Sequence, residues 1–202
     1  MGENWLWSVD QGRALLAAAP AIQLLEAKLQ INTSQQVSRA ILRNEPPFQA
    51  LRMRRANKIR GLESLAEVIA FSSDLRCYTC LEDLTLGYAV LDTRAAMGAV
   101  VDACIALRLR KLQLLTCRTV PAALPELTRL VAAGTLRGLW VLSMNVQNNG
   151  VGMFDEAHES TRLFVAAVRA SAMVSLEFDA RNLGVLPADV VEAAAFINAR
   201  QQ

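Results

Sequence analysis

The sequence predicts an α/β solenoid: a right-handed βα superhelix of about six strand–helix repeats, with a curved parallel sheet inside and helices outside. Three observations predict it. Leucine-spaced strings recur along the chain, as in LEDLTLGYAVL (81–91), LRKLQLLTC (109–117) and LRGLWVLSMNV (136–146). Each string is followed by an alanine-rich amphipathic stretch. The three strings start 28 and then 27 residues apart, and a fixed period of roughly 20–50 residues marks stacked supersecondary units.

The units follow one template, L-x-x-L-x-L, then x-x-[N/C], then x-L. Residues 1–20 are expected to form an irregular N-terminal repeat or cap, with Trp5 and Trp7 expected to cover that end of the core. Repeats are then expected to fill 21–202, making the chain a single domain. The first copy is Leu24, Ala27, Leu29 and Asn32, and the second is Phe48, Leu51, Met53 and Ala56. The third has Leu81, Leu84 and Leu86, with Ala89 in the Asn/Cys slot and Leu91 after it. The fourth is Leu109, Leu112, Leu114 and Cys117. The fifth runs Leu136, Leu139, Val141, Met144 and Val146; the sixth runs Met173, Leu176, Phe178 and Leu183, with Arg181 in the slot. The starts at 24, 48, 81, 109, 136 and 173 differ by 24, 33, 28, 27 and 37, the longer intervals reading as insertions.

Side-chain direction explains the spacing. Leu112 and Leu114 lie two apart on a short strand and point the same way. Leu109 enters from the preceding turn and Cys117 closes the bend after it, so all four face inward. A small residue able to bond backbone groups suits that bend, and cysteine otherwise packs as a small apolar group. One such unit cannot bury its own apolar face, whereas stacked units can.

The helical halves are expected at 34–44, 62–71, 93–106, 123–134, 155–171 and 186–200. Ser34 and Asp155 are N-cap types, Pro125 and Pro187 suit a first turn, and Gly134 stands where a C-cap glycine belongs. Val190, Val191, Ala194 and Ile197 recur at helical spacing and predict one apolar face. No polar capping unit follows that last helix. The final sheet edge is therefore expected to be exposed, or covered by a partner or further chain.

With these motifs in place, the chain resembles a leucine-rich-repeat protein over about 20–200. The long alanine-rich helical halves resemble the ribonuclease-inhibitor-type subgroup, in which each repeat is a strand plus a full α-helix. A doubly wound sheet would instead show continuous Val/Ile-rich strands and a glycine-rich phosphate loop; neither is present.

Composition bounds the function. Hydrophobic residues make up 53% of 202, enough to build a core. The net charge is +2, from 21 basic and 19 acidic residues, which argues against a dedicated nucleic-acid binder. The N-terminus lacks a basic segment followed by an apolar core, and no apolar run reaches membrane-spanning length. A cytoplasmic chain with reduced thiols is expected.

No motif carries catalysis. CYTC (77–80) has metal or redox spacing, but a zinc site needs a second ligand pair, and the pair precedes a strand rather than opening a helix. DEAH (155–158) lacks the phosphate-binding loop a helicase requires, and reads as a helix first turn. His158 is the one histidine, so no hydrolytic triad is evident. The expectation is no enzyme, no cofactor and no metal. The basic run LRMRRANKIR (51–60) reads as a strand with a solvated basic side, or as a surface for an anionic partner.

The function expected is protein–protein interaction through the concave sheet face, the usual binding surface of such stacks. On the repeat register its residues are Arg52 and Arg54, Thr85 and Gly87, Gln113 and Leu115, Trp140 and Leu142, and Glu177 and Asp179. Trp140, flanked by Leu115 and Leu142, is the expected hot spot, since Trp and Arg dominate such sites. Arg52 and Arg54 at one end and Glu177 and Asp179 at the other would set partner orientation. The competing reading packs Trp140 beneath NVQNNGVG (145–152). The alternative function is self-assembly into a homo-oligomer through the uncapped end, by Val190, Ala194 and Ile197. The resemblance also implies, less directly, regulators such as GTPase activators or ubiquitin-ligase adaptors. No F-box-like helical segment is expected before the repeats within residues 1–20.

Overall fold

The computed structural model describes residues 24–25, 30–32, 52–53, 55–119, 121–142, 154, 159–178 and 186–201. Its side chains are described for 59–119, 121–141, 154, 159–178 and 186–200.

Ten strands and five helices are described in chain order. They are β1 Leu24–Leu25, β2 Gln30–Asn32, β3 Arg52–Met53 and β4 Arg55–Arg60, then α1 Leu65–Leu75. Next come β5 Asp83–Gly87, β6 Val90–Leu91 and α2 Arg94–Ala106, followed by β7 Lys111–Leu115, β8 Arg118–Thr119 and α3 Leu124–Ala132. The chain continues through β9 Gly138–Leu142, α4 Glu159–Ala170, β10 Ser175–Phe178 and α5 Ala188–Asn198. The main sheet has the order β10-β9-β7-β5-β4-β2, and every pairing in it is parallel. The fold is therefore α/β with a parallel sheet. Each strand lies beside its predecessor in the chain, apart from the short β1, β3, β6 and β8. The helices follow the same rule: α1 packs on α2, α2 on α3, α3 on α4 and α4 on α5.

Local chemistry explains where the helices begin. Ser64 accepts from the Glu67 amide at 3.3 Å, and the Glu67 carboxylate accepts from the Ser64 amide at 2.9 Å. This reciprocal pair satisfies two of the first-turn donors of α1. Thr93 accepts from the Ala96 amide at 3.1 Å and caps α2. A 3-10 turn at Pro121–Ala123 leads into α3, with Pro125 in its first turn. Gly134, at φ 76°, ends it in the left-handed conformation that glycine adopts most cheaply.

The strands register by level. Leu84, Leu112, Leu139 and Leu176 align across four strands, and Leu86, Leu114 and Val141 align two residues further on. All seven are buried. They share one core with Val68, Phe71 and Leu75 of α1, Val100, Val101 and Cys104 of α2, Leu127 and Leu130 of α3, Phe164 and Val168 of α4, and Val190 and Ile197 of α5. Leu81, Leu109, Leu136 and Met173, one turn before each strand, are buried as well.

After β5 and β7 the chain bends at Tyr88 and Thr116, which take φ of 61° and 55°. Positive φ is costly for residues with a side chain, so the surrounding bonds must hold it. The Tyr88 amide donates to the Leu115 carbonyl at 3.0 Å. Cys117 is fully buried, with Sγ 3.5 Å from the Leu86 carbonyl and 3.7 Å from that of Leu115. The bends feed a second, two-stranded parallel sheet, β6 with β8.

Two expectations are corrected. The strand beside β5 is β4, with Ala56 opposite Leu84 and Ile59 opposite Leu86, a bulge lying between them. The frame that put Leu51 and Met53 at those levels is therefore off by five and six residues. Ala56 is the residue one 28-residue period before Leu84, and it outranks the nearer leucine because register follows spacing. The last helix turns Val190 and Ile197 inward, with Ala193, while Val191 is 51% exposed. Val190 and Ile197 are thus already committed to the chain's own core. The expected helix at 34–44 and the segment at 145–152 lie outside the described residues.

Candidate functional site: the open face of the sheet

Side chains alternate across a strand, so the residues between the core-facing leucines form the opposite face. Three rows cross it. The first is Asp83, Lys111, Gly138 and Ser175; the second is Thr85, Gln113, Trp140 and Glu177; the third is Gly87, Leu115 and Leu142.

The second row is tied together. Thr85 donates its hydroxyl to the Gln113 side-chain oxygen at 3.0 Å. That bond and its neighbours leave Thr85 only 7% exposed, although it is on the open side. Trp140 is half-buried, and its indole N–H donates to Ser175 Oγ at 3.0 Å, across to the next strand. The far edge of its six-membered ring lies over Gly138: a Cβ there would stand 3.6 Å from the ring. The Lys111 ammonium sits 5.7 Å from the ring centroid on the other side, within range of a cation–π attraction. Trp140 is therefore bracketed by Lys111 and Ser175, with its ring edge against Gly138. Glu177 is exposed beside it in register.

The rim where the strands begin is basic in its middle. The amides of Arg110, Arg137 and Val174 donate in turn to the carbonyls of Glu82, Arg110 and Arg137, at 2.8, 2.7 and 2.9 Å. This ladder lines up Glu82, Arg110, Arg137 and Val174. Arg110 reaches Glu82 at 3.9 Å, and Arg137 donates to the Ala172 carbonyl at 2.8 Å.

Not every expected residue joins this face. Arg52 is on β3, which pairs with β1, Leu24 lying opposite Arg52, outside the main sheet. Arg54 and Asp179 lie outside the described residues. Leu142 pairs with Leu115 in register, though its side chain is outside the described set. At this end the structure does bring Arg60, whose guanidinium lies 5.2 Å from the Tyr88 ring centroid, and Arg55 pairs in register with Asp83. The signal of Arg60 was available in the sequence, since it is 27 residues before Gly87, close to the basic period.

No family model and no curated protein matches the chain.

Chemistry elsewhere is sparse. Cys77 and Cys80 are exposed free thiols in the turn between α1 and β5, and Cys104 and Cys117 are buried free thiols. Burial pushes both buried thiols up to about 12. Tyr78, between the exposed pair, is buried, which raises its hydroxyl well above the usual range. Among the described residues no three His, Cys, Asp or Glu side chains cluster to hold a metal, and no helix is long and apolar enough to cross a membrane. The strongest ionic network is in the helix layer. Glu126, 7% exposed, accepts from Arg94 Nε at 2.8 Å and Arg129 Nε at 2.9 Å. Arg129 also meets Asp102 at 2.7 Å. Bonding to Arg94 and then Arg129 holds the Glu126 carboxyl below its ordinary range despite burial.

Proposed function

We propose that the chain is a leucine-rich-repeat solenoid of the strand-plus-helix kind, and that it binds another protein through the open face of its sheet. The observation that carries the reading is the fixed indole of Trp140, bracketed by Lys111 and Ser175 on a face where Thr85 and Gln113 bond each other. A large ring already held in one orientation loses little conformational freedom on binding, and that favours affinity. Gln113, Leu115, Leu142 and Glu177 flank it in register. The repeat reading is supported by the even alignment of Leu84, Leu112, Leu139 and Leu176 and by helices that follow the order of the strands. No catalytic role is assigned.

The test is capture from the native source with the immobilised chain, read by mass spectrometry, then repeated with Gln113→Arg/Leu115→Arg on the open face and Val191→Arg on the helix layer. A partner lost with the first variant and kept with the second supports the reading. A partner lost only with Val191→Arg overturns it.

A further inference from the structure

The joint between α1 and β5 presents the two exposed thiols, Cys77 and Cys80, together. Three successive amides there, of Arg76, Cys77 and Tyr78, donate to the carbonyls of Ser73, Asp74 and Leu75, at 3.2, 3.1 and 3.0 Å. The Leu81 amide repeats the pattern on the Tyr78 carbonyl at 2.9 Å. The helix thus tightens as it ends and a further turn follows, at about three residues per turn. Burial keeps the same period. Leu75, Tyr78 and Leu81 are buried, and Arg76, Cys77, Thr79 and Cys80 between them are exposed. Tyr78 is 3% exposed, and its buried hydroxyl has no hydrogen-bond partner among the described residues, so packing holds its side chain at the central corner.

Each turn therefore carries one outward thiol at its third position. Leu75–Tyr78 carries Cys77 and Tyr78–Leu81 carries Cys80, in equivalent places one turn apart. Side chains three residues apart eclipse on such a winding, and a rise of about 2.0 Å per residue sets their Cα atoms about 6 Å apart. Disulfides most often span about 5.5–6 Å. Closing the bond joins two outward side chains and leaves the three buried corners in place. The other two cysteines do not compete, because Cys104 and Cys117 are fully buried. A metal would find two ligands only, since among the described residues no third His, Cys, Asp or Glu clusters with the pair. A disulfide needs no more than two.

We propose that Cys77 and Cys80 form a reversible thiol–disulfide site whose co-substrate is a small soluble disulfide. The thiolate of one cysteine attacks a sulfur of that molecule, forming a mixed disulfide and releasing the first small thiol. The thiolate of the other cysteine then attacks the protein sulfur of the mixed disulfide. The Cys77–Cys80 bond forms, the bond to the small molecule breaks, and the second small thiol leaves. The two cysteines lose two electrons and two protons, and the small disulfide gains both and becomes two thiols. Excess small thiol runs the same steps backwards. This chemistry does not depend on the protein-binding reading of the sheet face.

The test equilibrates the full chain with mixtures of reduced and oxidised glutathione, native and in urea. Each sample is acid-quenched, alkylated and digested with trypsin, which releases residues 77–94 by cutting after Arg76 and Arg94. Mass spectrometry of the native chain is expected to find this peptide two hydrogens lighter, with no glutathione retained. The equilibrium constant for closure, taken from the ratio of closed to open peptide, is expected to be roughly tenfold or more higher in the native chain than in urea, because the turns already hold the pair in place. Cys77→Ser and Cys80→Ser should each retain one glutathione on the remaining cysteine, with the far-ultraviolet circular dichroism of the parent. The native-to-urea comparison is made on the parent and stands if either variant folds poorly. Glutathione left on both cysteines of the native parent, a closure constant no higher in the native chain than in urea, or a disulfide joining two chains would each overturn the proposal.

Discussion

Trp140→Ala tests whether the indole is part of the fold or merely displayed by it. The wild-type ring donates to Ser175 at 3.0 Å, a net stabilisation of about 0.5–1.5 kcal/mol. It faces the Lys111 ammonium at 5.7 Å, worth about 0.5–1 kcal/mol at a partly exposed site. Its remaining contacts cover Gly138, and a half-buried aromatic of this size adds about 1–2 kcal/mol. Truncation is therefore expected to cost about 2–4.5 kcal/mol overall, below the upper limit for a fully buried aromatic. Trp140→Phe keeps the cover but not the donor, and should cost about 1 kcal/mol. Combined with Ser175→Ala, it should show a coupling of similar size, because both changes remove one bond. The assay is urea unfolding followed by far-ultraviolet circular dichroism, which does not depend on the deleted fluorophore. A Trp140→Ala stability within about 0.5 kcal/mol of the parent, the range of an ordinary surface change, would refute the bracketed indole. Strict additivity of Trp140→Phe and Ser175→Ala would refute the bond.

Two further outcomes follow from titratable groups. The Glu126 carboxyl is held below its ordinary value of 4.5 by Arg94 and Arg129, so its contribution is complete above that value and fades as pH falls through the folded one. Glu126→Gln should cost about 1–2 kcal/mol at neutral pH, discounted because Arg94 is largely exposed, and should flatten this part of the acid limb of the unfolding midpoint plotted against pH; an unchanged limb would count against the network. For the thiols, native protein is expected to react at Cys77 and Cys80 alone, and at all four cysteines once unfolded, as read by mass spectrometry after alkylation near pH 8.5. Cys104 and Cys117 stay protonated there, having been pushed up to about 12. Rapid native labelling of Cys117 would show that the bend it closes opens readily.

Much of the sheet could be read from the chain because leucines mark it. Leu84, Leu112, Leu139 and Leu176 have apolar neighbours at the same offsets, and the structure sets them at one level. The strand before them was hidden for a physical reason. Its core slot holds Ala56, the smallest apolar side chain with a Cβ, and a bulge then displaces Ile59 by one residue. A search led by leucine content slides to Leu51, whereas the 28-residue spacing alone points to Ala56. Of the open face, the positions of Thr85, Gln113, Leu115, Trp140 and Glu177 followed from alternation. Their bonds did not, since Trp140 and Ser175 are 35 residues apart and meet only once β9 and β10 are in register. The pairing of Asn198 with the Leu176 backbone had no local signal at all, since backbone groups leave no mark on residue type.

The side-by-side order of the helices bears on how the chain comes apart. Each of α1 to α5 leans chiefly on the one before and the one after, so damage in the middle severs the stack while damage at an end shortens it. Under the proposed solenoid, unravelling is expected to begin at an end of the stack and travel inward. The unit holding Leu112, Leu114 and Cys117, supported from both sides, would be among the last to let go.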